Sequence, residues 1–90
     1  RQAVELPNAM REAVAALEAG EEPESVLARA KARLEAAGFG TIDYVELCDA
    51  SSLAPVRELS AAARILVAAR LGKTRLIDNF PVEAANLISS

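Results

Sequence analysis

Ninety residues, 52% of them apolar and 26% charged, leave room for one small domain, because a chain this short buries only about two-thirds of the surface its unfolded form exposes. Twenty of the apolar residues are alanine, so the core is expected to be thin and a two-domain enzyme is excluded. A net charge of −3 withholds the basic excess that drives binding to nucleic acid backbones or anionic lipid, and neither nucleic acid nor membrane is expected as a partner.

The missing residue types exclude more. With no histidine and one cysteine, Cys48, the chain lacks the parts for disulfide frameworks, His/Cys metal sites, Cys-His nucleophiles and Ser-His-Asp triads. No catalytic residue and no metal ligand set is assigned. Cys48 lies in an apolar alternation and reads as a small buried hydrophobe, which suits a reducing, cytoplasmic setting. No apolar run approaches the roughly 18 to 20 residues of a bilayer span, and the charged start from Arg1 to Glu5 is not a signal peptide. A chain that starts at Arg1 with its one methionine, Met10, inside a helical pattern reads as a piece of something larger, or as one whose start is processed or omitted.

Leu6, Met10, Ala13, Val14 and Leu17 recur at helical spacing from Arg1 to Ala19, opposite Arg11, Glu12 and Glu18. Pro7 predicts either two short helices or one that kinks. Gly20 closes the element. A second helix is predicted from Pro23, with Glu24 near the positive end of its dipole, to Ala37. Its stripe is Val26, Leu27, Ala30, Leu34 and Ala37, and Gly38 ends it.

The apolar period then changes to two. Thr41 to Cys48 predicts a strand with Ile42, Tyr44, Glu46 and Cys48 on one face and Asp43, Val45, Leu47 and Asp49 on the other. Asp49 to Leu59 is a connection that opens on an Asx turn at Asp49 and packs through Leu53, Val56 and Leu59. Ala62 to Leu71 is nearly continuously apolar and predicts a central strand buried on both faces. Gly72-Lys73 makes a hairpin into a return strand from Thr74 to Phe80, which Pro81 ends. Leu87 and Ile88 are candidate anchors in the terminal segment. The fold class is therefore α+β: a two-layer sandwich with two to three helices on one face of a three-stranded antiparallel sheet. The helical part is 1–38, the sheet part 41–80 and the terminal segment 81–90.

One feature of this acidic chain is basic. A two-residue loop at Gly72-Lys73 sets Arg70 opposite Arg75, where like charges repel, and Arg64 and Lys73 stand nearby. This is either a docking site for a phosphate, a carboxylate or an acidic surface, or a set of cations neutralised by Asp43, Glu46 and Asp78 on neighbouring strands. Asp43, Asp49, Asp78 and Glu46 read as solvated or paired acids rather than a cation cluster, and Glu18, Glu21, Glu22 and Glu24 as a solvated face. The four glycines, Gly20, Gly38, Gly40 and Gly72, all sit at element boundaries and form no phosphate loop.

The stretch Ile42 to Ala50, I-D-Y-V-E-L-C-D-A, followed by Leu66 to Asn79, L-V-A-A-R-L-G-K-T-R-L-I-D-N, resembles the C-terminal domain of the pantoate-beta-alanine ligase family, the pantothenate synthetases. In that family I-D-Y-V-E-L-R-D-A precedes L-V-A-A-R-L-G-x-T-R-L-I-D-N at a similar separation. The helical part agrees in pattern, including its Ala-Gly and Ala-Ala-Gly-Phe endings, so the resemblance covers essentially the whole chain. Cys48 departs from it, since the family usually has arginine there.

The resemblance implies that residues 1–90 form a C-terminal lid domain of a two-step ligase of vitamin B5 biosynthesis. ATP and pantoate form a pantoyl adenylate with magnesium assisting, and the amine of beta-alanine displaces AMP to give pantothenate. The family's nucleotide-binding histidines and M-S-S-R-N loop lie in a larger N-terminal domain, so no catalytic or binding residue carries over here. This piece is expected to hold no cofactor, to be inactive alone, and to have that N-terminal nucleotide-binding domain as its partner, with pantoate, beta-alanine and ATP as substrates of the full enzyme. Arg70, Lys73 and Arg75 are the candidate cleft-facing residues. Two rival readings are a free-standing, non-catalytic interaction module that pairs through a sheet edge or an alanine-rich helix face, and a piece that binds nucleotide by itself.

Overall fold

Each helix carries one apolar stripe and needs one surface to bury it against, and the sheet supplies that surface from a single side. The computed structural model describes residues 2–84, with side chains from residue 4 onward. In chain order it holds α1 (Gln2–Glu18), α2 (Pro23–Ala36), β1 (Thr41–Asp49), β2 (Ala63–Leu71) and β3 (Thr74–Val82). The three strands form one antiparallel sheet in the order β1-β2-β3. Helix α2 lies over β1, and α1 lies over β3 and β2. The fold is the expected α+β sandwich of two layers, with two helices among the described residues.

Helix α1 is a single helix through Pro7. The proline sits in the second turn, so only one turn lies upstream to be disturbed by its ring and its missing amide. Leu6, Ala9, Met10, Ala13 and Leu17 point into the core. Helix α2 stops at Ala36, one residue earlier than expected, with Ala37 as its C-cap. Gly38 follows at φ 104; its amide bonds to the Glu35 carbonyl and the Phe39 amide to that of Leu34, both at 3.1 Å. This left-handed reversal turns Phe39 back onto Leu34, and both are buried.

The strand faces follow from the register. Ala63, Ile65, Val67 and Ala69 on β2 lie under the helices and are almost fully buried, joined there by Leu47 of β1 and Val82 of β3. Arg64, Leu66, Ala68 and Arg70 lie on the other side, which neither α1 nor α2 covers. Leu66 is half-buried and Arg70 exposed, so β2 is central in the sheet but not buried on both faces as expected; its continuous apolar run comes from Leu66 and Ala68 on the open side rather than from a second covering layer.

Strand β1 also differs from the simple alternation. Its register skips a residue between Ile42 and Tyr44: Ile42 pairs with Ala69 and Tyr44 with Ala68, leaving Asp43 in a β-bulge. The bulge turns Ile42 to the helix side with Val45 and Leu47, not to the Tyr44 side. Strand β3 continues past Phe80, with Pro81 in register with Arg64 and Val82 with Ala63. It is an edge strand, where a residue without an amide donor is tolerated. In the connection after β1, Val56 and Leu59 pack on the core as expected, but Leu53 is 49% exposed. It closes the turn that spans residues 50–52, its amide donating to the Asp49 carbonyl at 2.8 Å and its φ at 62. Leu87 and Ile88 lie outside the described residues.

Candidate functional site

The open face of the sheet carries the basic residues singled out above. The β2–β3 hairpin has the expected two-residue loop, with Leu71 paired to Thr74 and Arg70 to Arg75. Gly72 takes φ 62, the positive angle that a two-residue hairpin needs at its first loop position when the second stays negative, and nothing near it fills the space of a Cβ. Arg70 and Arg75 are therefore brought side by side on one face, with Lys73 exposed in the loop beside them.

Their partners differ. The Arg75 Nε donates to the Asp43 Oδ2 at 2.8 Å, across the central strand. This contact depends on the β1 bulge, which brings Asp43 onto the same side of the sheet as Tyr44. Arg64 donates through Nη1 to the Asn79 Oδ1 at 2.8 Å, a neutral partner. Among the described residues, no hydrogen bond or ion pair engages the side chain of Arg70 or Lys73. Neutralisation within the sheet thus holds for Arg75 alone. Asp78 shares its register position with Val67 on the helix side of β3, so it faces away from the arginines, and its Oδ1 accepts from the Asn79 amide at 2.8 Å.

Between and around these charges the face is apolar. Tyr44 and Leu66 are half-buried, Ala68 is fully buried, and Ile77 is 61% exposed. Sequence spacing alone leaves Tyr44, Leu66 and Ile77 unmarked as site residues; the unequal spacing of Ile42, Val45 and Leu47, three and then two, is the signal that places the bulge and hence this face.

The other end of the sheet is built for stability. The Asp49 Oδ1 accepts the amides of Ser51 at 2.8 Å and Ser52 at 2.9 Å, the expected Asx turn, and the Ser52 and then the Ser51 amide hold its carboxyl below the usual aspartate range. The chain then returns to β1: the Asp49 amide donates to the Ala54 carbonyl and the Val56 amide to the Leu47 carbonyl, both at 2.9 Å, and Cys48 is bridged to Pro55. Cys48 is 1% exposed and unpaired. Burial first, and the Glu46 charge second, push its thiol up, so at neutral pH it stays protonated and packs as a small apolar group.

The helical layer offers a groove of about 300 Å³ lined by Ala9, Ala13, Ala16 and Ala30. Its charges are already matched: Arg29 meets Glu21 at 2.6 Å, and Arg33 meets Glu12 at 2.6 Å and Glu5 at 3.1 Å. Glu12 and then Glu5 raise the Arg33 guanidinium further above its ordinary value. Among the described residues no three acidic or thiol side chains converge as metal ligands do, and no helix is long and apolar enough to cross a membrane.

Residues 1–81 match the family model described as pantoate-beta-alanine ligase. The chain is 55% identical over 80 residues to the pantothenate synthetase of Rhizorhabdus wittichii, covering 89% of this chain and 28% of that protein. To the pantothenate synthetase of Caulobacter vibrioides it is 53% identical over 85 residues, covering 89% of this chain and 29% of the relative. Among solved structures, the crystal structure of pantothenate synthetase from Thermus thermophilus superposes with a TM-score of 0.74 at 28% identity, over 84% of this chain and 28% of that one. The chain thus spans little more than a quarter of the length of the relatives it matches.

Proposed function

The chain belongs to the pantoate-beta-alanine ligase family, and from that membership we propose that it is the C-terminal lid domain of a longer, cytoplasmic ligase that condenses pantoate with beta-alanine, through a pantoyl adenylate made from ATP, to give pantothenate. The observation that carries this reading is a family match over residues 1–81 by a chain that aligns with only 28% of the length of its relatives. Such a piece contributes one rigid part of a larger active site.

The side chains support a covering role rather than a reactive one. The chain has no histidine, and its thiol is buried. Asp43 is engaged by Arg75, and among the described residues the acids do not converge on a common point. In this reading nucleotide, magnesium and the reacting groups belong to the N-terminal part of the longer chain, which is this domain's partner.

A lid serves adenylate chemistry in two ways. It keeps water from the mixed anhydride, and it lowers the dielectric around the charges in the cleft. Arg70 and Lys73, free of partners among the described residues, are the charges this domain can bring to an anionic cleft, with Arg75 beside them held in place by Asp43. Closing the cleft brings them toward phosphate or carboxylate oxygens, where a guanidinium binds two oxygens at once.

The test uses the full-length ligase. Arg70→Ala and Lys73→Ala are each expected to raise KM for ATP or pantoate or to lower kcat, since both side chains are exposed and their loss leaves the fold intact. Unchanged KM and kcat in both variants would remove the cleft-facing role. A full-length protein that forms no pantothenate from pantoate, beta-alanine and ATP would remove the ligase reading itself.

A further inference from the structure

The hairpin end of the open face holds more positive charge than a single carboxylate can match, and that surplus selects a ligand. We infer that Arg70, Lys73 and Arg75 form a seat for the polyphosphate end of ATP, and for the pyrophosphate released when the adenylate forms, rather than for the carboxylate of pantoate. This rests on the cleft-facing reading above, which leaves phosphate and carboxylate as equals, and adds to it the class of anion.

Register sets Arg70 directly opposite Arg75, where facing Cβ atoms lie about 4.5–5.5 Å apart. Lys73 stands between them in sequence, and all three side chains are exposed. The pairing cannot slip to relieve the repulsion, because Gly72 at φ 62 fixes a two-residue loop. One carboxylate offsets the three cations. Asp43 accepts from the Arg75 Nε at 2.8 Å, which leaves the two Nη groups of Arg75 without a partner among the described residues. Glu46, the other acid of this face, pairs in register with Leu66. That is four residues along β2 from Arg70, roughly 13 Å at the rise of a strand and more than a Debye length at physiological salt. The hairpin end therefore keeps a surplus of positive charge on a chain whose net charge is −3.

A pantoate carboxylate carries one charge on two oxygens. One guanidinium fork satisfies both, so the second arginine and the lysine would stay uncompensated beside it. Two linked phosphoryl groups carry charge on adjacent phosphorus atoms. Arg70 can then bind one group through its fork while Lys73 meets the other as a point charge, and Arg75 closes the side held by Asp43. The seat also suits the step. As the pantoate carboxylate attacks the α-phosphorus, the bond from that phosphorus to the oxygen bridging it to the β-phosphorus breaks, and pyrophosphate departs with the electron pair. Negative charge grows on the departing group, and cations fixed beside it favour the transition state over bound ATP.

The experiment titrates pyrophosphate, and separately pantoate, into the full-length ligase in magnesium buffer and reads the heat of binding. The proteins are the parent, Arg70→Ala, Lys73→Ala and, as a control on the helical layer, Lys31→Ala. All three positions are exposed, so no replacement disturbs the core. Each hairpin variant is expected to weaken pyrophosphate binding by roughly tenfold or more, the loss of one charge-assisted hydrogen bond, and to leave pantoate binding unchanged. Lys31→Ala should change neither, and KM for ATP should rise in the hairpin variants while KM for pantoate does not. Weakened binding of pantoate, alone or together with pyrophosphate, would overturn the choice of anion. A parent that binds no pyrophosphate, hairpin variants that bind it as the parent does, or an equal loss in Lys31→Ala would overturn the seat. Pantothenate formation by the parent is scored separately: an active parent with any of these results overturns the seat and leaves the ligase reading standing, whereas a parent that makes no pantothenate removes the ligase reading and the seat that rests on it.

Discussion

Ile65 and Ile77 are the same residue on adjacent strands of one small sheet, and their surroundings could hardly differ more. Ile65 faces the helices and is fully buried, while Ile77 faces outward and is 61% exposed. A thin, alanine-rich chain has only enough large side chains to cover one face of its sheet, so it completes the helix side and leaves the other side to charges and a few apolar residues. A free-standing domain of this size would gain stability from covering both. On the lid reading proposed above, the open face is left for a neighbouring part of the same polypeptide to cover.

The sharpest way to break this comparison is to truncate both isoleucines. Ile65→Ala should destabilise the 90-residue chain by roughly 2–5 kcal/mol, because it leaves a cavity beneath the helical layer. Ile77→Ala should cost less than about 1 kcal/mol, the usual range for an exposed position. Denaturant midpoints measured side by side decide it, and equal losses would mean that the two faces are not distinct. Next in size is Gly72→Val. The space at Gly72 is open, so the penalty is conformational alone: a β-branched residue at φ 62 costs on the order of 1–3 kcal/mol. If thermal denaturation shows no loss, the loop does not need its positive angle and the pairing of Arg70 with Arg75 is not pinned by it.

A smaller effect is expected from Asp43→Asn. The Arg75–Asp43 pair is 40% and 28% exposed at its two side chains, and such pairs contribute below about 1 kcal/mol after solvent screening. Its consequence is electrostatic. Losing one of two carboxylates from the open face makes that face more positive, so in the full-length ligase the variant should strengthen any attraction to an anionic cleft, seen as a KM for ATP or pantoate no higher than that of the parent enzyme and more sensitive to salt. A variant with unaltered salt dependence would show that this end of the sheet does not face the cleft.

Which parts of this are legible in the sequence follows from how local their causes are. The hairpin is legible because Gly72-Lys73 acts on its immediate neighbours, and so the facing of Arg70 and Arg75 is legible too. The helices are legible from the stripes of Leu6 to Leu17 and Val26 to Leu34. The bulge at Asp43 is missed by strict alternation, which assigns Ile42 to the wrong side and overlooks the three-then-two spacing of Ile42, Val45 and Leu47; with it goes the Asp43–Arg75 contact, which spans 32 positions in sequence. Pro81 reads as a stop because a proline lacks an amide donor; on an outer strand that donor has no partner to miss. Asp78 reads as a neutraliser of the arginines, but its place in the register turns it to the opposite face. The family resemblance carries the functional reading further than any spacing does, because no spacing in the sequence marks a reactive set of residues.

The smallest predicted effect lies at the end of the sheet away from the hairpin. The Asp49 carboxylate accepts two backbone amides and a weaker bond from the Ser52 hydroxyl at 3.4 Å, and these bonds favour its charged form, lowering its pKa in the folded chain. An unfolded aspartate titrates near about 3.9. The folded chain therefore gains stability from Asp49 at any pH above that value, and loses it as the pH falls through the lower, folded pKa, because the protonated carboxyl is a poorer acceptor. Asp49→Asn keeps the shape and an acceptor oxygen but cannot titrate. Denaturant midpoints of parent and variant should differ most near neutral pH and draw together as the pH falls below about 4, the range set by the unfolded aspartate. A difference that stays constant across that range would show that the turn holds Asp49 by shape rather than by charge, and that the end of the sheet that returns to β1 owes nothing to electrostatics.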